Sequence, residues 1–467
     1  MAPEHLQFGG GATDTQIHPL VAVYLLIAIL LILALPRRRA IAPFLFVYFT
    51  ITMGQVVVLG SLHFTVLRFL ILAGLARMIF SPGRFAGGFN AIDKVVVLWS
   101  VSAAILFALH FRETAAIIKS SGTLLDTLGG YLVVRYLIPD GETIRRTIKV
   151  LAAICAVNGA FMIYEKISGI NLFGLLGGIP LQAFVRDGHI RASGVFGYLW
   201  AGAFAGVLVP LFIWLWSERE SRTAALIGFG GATAMMIASY SSTSFLAYGG
   251  ALVGLAFWPL RQKMRFIRWA LLIILVGLHL VMKAPVWALI ARVNLTGSSA
   301  GSQRYMLVDM TIRHLSDWWL TGTDAYTRWG FDSWDLCNQF VAVALTGGLL
   351  SLIFYVAIFK RCFSSIGKAR KLVNGDRGQE WFLWCFASSL FATVVAHFGI
   401  NYMAQLIMGF FALVACISVA TLETVPAMVK EAKTSDFSRP LPLARRADKT
   451  HAGWNGNRGA GLIREYK

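Results

Sequence analysis

The run PLVAVYLLIAILLILALPRRR (19–39) decides the fold: an unbroken apolar stretch that ends in Arg37, Arg38 and Arg39. A helix needs about 20 mostly apolar residues to cross a bilayer, and positive charge gathers at the end that stays in the cytoplasm. The pattern repeats along the whole chain. Candidate spans fall near 19–36, 41–60, 62–80, 94–110, 120–138, 148–164, 199–216, 223–239, 241–258, 268–284, 338–359, 381–397 and 400–421. No basic segment precedes the first run and no small-residue cleavage site follows it, so 20–35 reads as a retained span and not a removed signal peptide.

Orientation follows from Lys and Arg in the short loops. The clusters are Arg37 to Arg39; Arg77, Arg84 and Lys94; Arg145, Arg146 and Lys149; Arg261, Lys263, Arg265 and Arg268; and Lys360, Arg361, Lys368, Arg370, Lys371 and Arg377. All fall on one side if the N-terminus (1–18) is outside and the C-terminus inside. That parity favours about 13 spans across 19–421 in an all-α, polytopic transmembrane bundle. A version with about 12 spans makes 120–138, with its Gly129-Gly130, re-entrant. The basic, polar segment 422–467 reads as a disordered cytoplasmic tail.

Composition narrows the function. The 467 residues are 57% hydrophobic and 14% charged, against about 25% charged in a soluble domain. An ordinary globular enzyme is excluded. The net charge of +19 sits in short clusters between apolar spans, so it anchors loops and does not form a nucleic-acid-binding face. Cys155, Cys337, Cys362, Cys385 and Cys416 show neither CxxC nor Cys/His spacing, so no metal site, cofactor or disulfide framework is indicated.

Two long segments, 165–198 and 284–337, interrupt the apolar pattern, and both fall outside. The first ends in Arg186-Asp187-Gly188-His189-Ile190-Arg191-Ala192-Ser193-Gly194-Val195-Phe196. Arginine there runs against the usual bias; Arg186 and Arg191 either bind phosphate, which a guanidinium fork matches, or pair with carboxylates and headgroups. His189 reads as a loop-surface residue. The second segment carries Arg292, Arg304, Arg313 and Arg328, interleaved with Asp309, Asp317, Asp324, Asp332 and Asp335. Arg304, Val308 and Thr311 recur at helical spacing, which predicts short amphipathic helices along the interface. Trp318, Trp319, Trp329 and Trp334 fit the headgroup zone or a sugar-stacking role. The hydroxyl-rich string from Ser239 to Ser244 reads as helix capping ahead of cavity lining, and His397 and Asn401 as a fainter polar hint.

These residues resemble a known family. Arg191-Ala192-Ser193-Gly194-Val195-Phe196, ahead of an apolar span, is similar to the Arg-x-x-Gly-x-Phe stretch of the bacterial O-antigen ligase and polymerase superfamily. Ser302-Gln303-Arg304, Leu320-Thr321-Gly322, Asn338-Gln339-Phe340 and Thr346-Gly347-Gly348-Leu349 resemble its signature region. The resemblance covers about 190–360. It implies a metal-independent glycosyltransferase of the bacterial plasma membrane, moving glycan from undecaprenyl pyrophosphate to a glycan or lipid-linked acceptor on the outer face, with other polysaccharide assembly proteins as partners. Arg191 and Arg304 would then hold the pyrophosphate, with Arg186 and Arg313 beside them and Gly194, Gly322 and Asn338 shaping the site.

One departure matters. Family ligases carry His-Asn where this chain has Cys337-Asn338, and that histidine is their usual candidate base. A thiol with a pKa near 8.5 is a poor replacement. The role would pass to Asp335, with His314 or Asp309 behind it, and the departure favours a polymerase over a ligase. Two other classes compete: a transporter or flippase using Arg68 and Asp126, and a non-catalytic subunit of a polysaccharide export complex.

Overall fold

The computed structural model describes residues 14–437 except 61, 82, 293–299, 331–334 and 404, without the side chains of 300 and 423–437. The expectations for Asp332 and Trp334 lie outside the described residues. The chain is an all-α polytopic helical bundle, a multi-pass membrane protein. Its helices are α1 (Pro19–Ala34), α2 (Arg37–Tyr48), α3 (Val66–Phe80), α4 (Ala91–Phe111), α5 (Thr114–Leu124), α6 (Gly130–Leu137), α7 (Gly141–Ser168), α8 (Tyr198–Ser217), α9 (Arg222–Ser239), α10 (Ser242–Ala256), α11 (Met264–Val281), α12 (Ala300–Arg313), α13 (Leu315–Trp318), α14 (Gln339–Leu372), α15 (Arg377–His397) and α16 (Gln405–Phe437). Among the described residues, six helices are long and apolar enough to cross a membrane: α4, α7, α8, α11, α14 and the first part of α16. The core gathers around α7, α8, α9 and α10, with α4 against α14 and α15 against α10.

The span expected at 41–60 is corrected. Helix α2 stops at Tyr48, and the chain turns through Phe49 to Gln55 into an antiparallel hairpin of β1 (Val56–Leu59) and β2 (Leu62–Thr65). The physical reason lies in the polar residues within the apolar run. Thr52 Oγ1 donates to Gly177 O at 2.7 Å, and Gln55 Nε2 donates to Leu176 O at 2.5 Å. Irregular backbone at membrane depth is tolerated where protein satisfies and covers it, and Phe49, Ile51, Thr52 and Gln55 are all buried. The weak segment 120–138 is not broken. Helices α5 and α6 join through a π-helical turn at Leu125–Gly129. Helix α16 continues past 421 to Phe437.

The basic loops meet one another on a single face. Arg37 Nε donates to Tyr136 O at 2.6 Å, Arg38 pairs with Asp140 at 2.6 Å, and Arg145 pairs with Glu218 at 2.9 Å. Arg261 and Arg370 share Glu380 at 3.0 and 2.7 Å. At the other ends of α7 and α9 lie the 165–198 segment and the α9–α10 junction, joined by Ala192 N to Ala238 O, and the first hairpin meets that segment through Thr52 and Gln55. Helix α11 buries no side chain; at 18 residues and about 1.5 Å per residue it matches the hydrocarbon thickness without leaning on the bundle.

Candidate functional site

The 165–198 segment is built around a second hairpin, β3 (Phe184–Arg186) and β4 (His189–Arg191). Its turn is Asp187-Gly188, both at positive φ (54° and 75°), the two-residue loop that suits the twist of paired strands. Arg191 closes β4 and is only 4% exposed. Its Nη2 lies 3.8 Å from the exposed Asp187 carboxylate, its guanidinium 5.6 Å from the Tyr198 ring centroid, and its Nε has no partner. The turn that follows is pinned from α7. Glu165 Oε1 accepts from Ser193 N at 2.8 Å and Oε2 from Gly194 N at 2.9 Å, while Asn171 Nδ2 donates to Gly194 O at 2.9 Å. Ala192 N donates to Ala238 O at 3.0 Å, which ties the motif to the end of α9.

Arg304 reaches the same junction from α12. Its Nη2 donates to Thr243 Oγ1 at 2.8 Å and to Gly399 O at 3.4 Å, and its Nε is buried without a partner. Burial opposes its charge and lowers its pKa from the ordinary guanidinium value, with Cys337 and Asp335 opposing that pull. The capping reading of the hydroxyl string is corrected here. Tyr240 ends α9 in the left-handed region (φ 44°), and Ser241, at the N-cap of α10, makes no side-chain cap bond. Thr243 instead presents its hydroxyl to Arg304. Two signature strings more than 100 residues apart in sequence thus attach to the α9–α10 break, one through the Ala192 backbone beside Arg191 and the other through the Arg304 side chain.

The remaining signature strings pack on each other. Helix α14 kinks at Gly347-Gly348, so the bond from Leu349 N back to Leu345 O is replaced. Thr323 N donates to Leu345 O at 2.8 Å and Leu349 N to Trp319 O at 2.9 Å. Gly322 sits at φ 88°, and a Cβ there would lie 2.3 Å from Leu345 O. Leaving both freed groups buried and unpaired would cost about 1–3 kcal/mol each. Asn338 caps α14, its Oδ1 accepting from Phe340 N at 2.9 Å and Val341 N at 3.2 Å.

The candidate bases separate clearly. Asp309 is buried and occupied: Oδ1 accepts from Trp287 Nε1 at 3.1 Å and Oδ2 pairs with Arg313 Nε at 2.7 Å. Arg313 is thereby committed to Asp309, with its side chain 66% exposed, and is not gathered with Arg304. Arg186 is half-buried and lies 3.6 Å from Asp187. His314 stacks on Trp329 at 4.6 Å, with Nδ1 against Met310 O. Burial first and Asp335 second push the Cys337 thiol up to about 11, so it is neutral near pH 7. Asp335 is exposed and near Arg304, with Gln303 Nε2 donating to its Oδ2 at 3.4 Å. His397 is buried among aromatic rings, with Nε2 2.7 Å from Tyr355 Oη. Trp318 is also corrected: it is a core residue with Leu307, Val341, Ala344 and Leu345, and donates to Thr311 O at 2.7 Å. Trp319 is the exposed member of that pair.

Sequence reasoning missed the roles of Glu165, Asn171 and Lys166, and took Tyr240 only as part of the Ser239–Ser244 string. The Asp187-Gly188 pair between alternating residues was a readable hairpin signal; nothing marked the end of α7 as its support. Among the described residues, no His, Cys, Asp and Glu group is arranged to hold a metal ion. No protein-family model and no curated protein matches the chain.

Proposed function

We propose that this chain is a membrane glycosyltransferase of the polysaccharide polymerase or ligase type. It takes glycan from an undecaprenyl-pyrophosphate carrier at the extracytoplasmic face of a bacterial plasma membrane. The observation that carries the reading is that Arg191 and Arg304 are both deeply buried with a guanidinium nitrogen unpartnered, on strings that bond the two sides of one helix break, through Ala192 N to Ala238 O and through Arg304 to Thr243. Uncompensated buried cations are costly; a pyrophosphate between them supplies the missing charge and two rows of acceptor oxygens. The same groups stabilise the charge that develops on the leaving pyrophosphate.

Asp335 is the base in this reading, since Asp309 is occupied and Cys337 is held neutral. The acceptor hydroxyl oxygen bonds to the anomeric carbon as the bond to the pyrophosphate oxygen breaks. The electron pair leaves with the lipid pyrophosphate, and the hydroxyl proton passes to Asp335. The transporter reading draws no support from Arg68 and Asp126, which neutralise each other at the π-turn through bonds of 2.9 and 2.8 Å.

The test is polysaccharide assembly in cells carrying wild type, Arg304→Ala, Arg191→Ala or Asp335→Asn, with lipid-linked units resolved by gel and mass spectrometry. Short lipid-linked units that accumulate while long chains disappear support the reading. Normal chains in all three variants would sink it.

A further inference from the structure

A third cation stands beside Arg191. Lys166, in the last turn of α7, donates its ammonium to Ile190 O and lies 4.7 Å from the centroid of the Tyr240 ring. The carbonyl it bonds belongs to the residue before Arg191, which brings the two cations into one neighbourhood where each disfavours the other's charge. The acids near them are Asp187, 58% exposed and 3.8 Å from Arg191, and Glu165, whose two oxygens are taken by Ser193 N and Gly194 N. Folding therefore holds two like charges on aromatic supports, Tyr198 under Arg191 and Tyr240 under Lys166, with an exposed counter-charge at Asp187 and a second carboxylate, Glu165, committed to the backbone. Arg191 Nε, on a side chain nine-tenths buried, remains unpartnered at the same place. Tyr240 itself sits at φ 44°, where a bulky side chain is held only against strain. Such an arrangement is stable on its own only at a cost, and an anion removes the cost.

We propose that Lys166 is an anion-binding residue of this site, taking a phosphoryl group of the lipid-linked pyrophosphate together with Arg191, on the floor made by Tyr240. The assignment rests on the glycosyltransferase reading and adds a residue that no signature string contains. Its neighbour Glu165 grips the Ser193-Gly194 turn, so one helix end positions the Arg191 loop and supplies the second charge. A point-charge ammonium complements the planar fork of Arg191, since it follows a phosphate oxygen without a fixed angle.

The experiment uses the full chain in nanodiscs, titrated with inorganic pyrophosphate and, separately, undecaprenyl pyrophosphate. Lys166→Gln keeps a donor for Ile190 O and removes the charge; binding of both ligands should weaken about tenfold or more and lose part of its salt dependence. Lys166→Arg should recover most of it. If Lys166→Gln binds like wild type while Arg191→Ala does not, Lys166 has no such role and the glycosyltransferase reading stands. If wild type binds neither ligand, both readings fall. Inorganic pyrophosphate that binds without competition from the lipid carrier would overturn the lipid source. Should Lys166→Gln fail to accumulate, acylation of wild-type Lys166 is measured by mass spectrometry. Protection by pyrophosphate, and not by chloride at equal ionic strength, supports the assignment; equal labelling overturns it.

Discussion

The arginines of the basic face and the two signature arginines of the hairpin face, Arg191 and Arg304, are treated in opposite ways. On the basic face they are matched to acids: Arg261 and Arg370 to Glu380, Arg145 to Glu218, and the fully buried Arg135 to Asp93 at 3.1 Å. Arg77, the buried one without an acid, is directed at the last carbonyls of α1, Ile32 O and Leu33 O, where the helix dipole is negative. On the hairpin face Arg68 and Arg313 are likewise paired, with Asp126 and Asp309, but Arg304 bonds a hydroxyl and a carbonyl, and Arg191 only approaches an exposed carboxylate. The difference teaches that the two signature arginines are set apart from the structural ones. All are costly to desolvate; Arg191 and Arg304 lack the close carboxylate that answers Arg135, Arg261, Arg313 and Arg370.

The comparison is sharpened first where the largest effect is expected. Asp93→Ala strands Arg135 in the core, and breaking such a pair costs about 3–5 kcal/mol; the yield of folded protein should drop while surviving molecules keep their activity per mole. Arg304→Ala should do the reverse, losing about 100–1000-fold in chain elongation with normal accumulation in the membrane. Unchanged elongation in that variant, or equal losses of yield in both, would erase the contrast between the two sets of arginines. Gly322→Ala is intermediate. A left-handed φ costs about 1–3 kcal/mol without glycine, and the clash with Leu345 O adds to it, so the 319–323 loop should leave the α14 kink and become open to proteases.

The smallest effect concerns Cys337. With its thiol pushed up to about 11 from the ordinary 9.0, the thiolate fraction at pH 8 is about 100-fold below that of a free cysteine. Iodoacetamide should therefore label it slowly at pH 8 and faster as pH rises toward 11. Asp335→Asn removes one of the upward pulls and should speed labelling. The other four cysteines are buried, which keeps the readout specific. A wild-type rate equal to that of a free thiol would return Cys337 to the list of candidate bases.

Much of the site was visible in the chain as strings, yet their relationships were not. Leu320-Thr321-Gly322 and Thr346-Gly347-Gly348-Leu349 are legible as motifs, but only the fold reveals that each completes the other's backbone hydrogen bonds. Asp309 and Arg313 look like site residues from composition and turn out to be committed to each other four residues apart. The run near 41–60 misleads because apolar β-branched residues such as Val56, Val57 and Val58 serve a strand as well as a span. Its polar Thr52 and Gln55 decide the matter by finding carbonyls more than 120 residues away.

By itself the sequence determined that this is a polytopic helical membrane protein, and which loops share a face. Lipid offers no hydrogen bonds, so each spanning segment must be an apolar helix and shows as one in the chain. Tertiary structure alone decided which polar groups meet. Lys166 meets the strand that carries Arg191, Ala192 meets the end of α9 and Arg304 meets the start of α10, and contacts across such distances leave no periodic trace in the sequence.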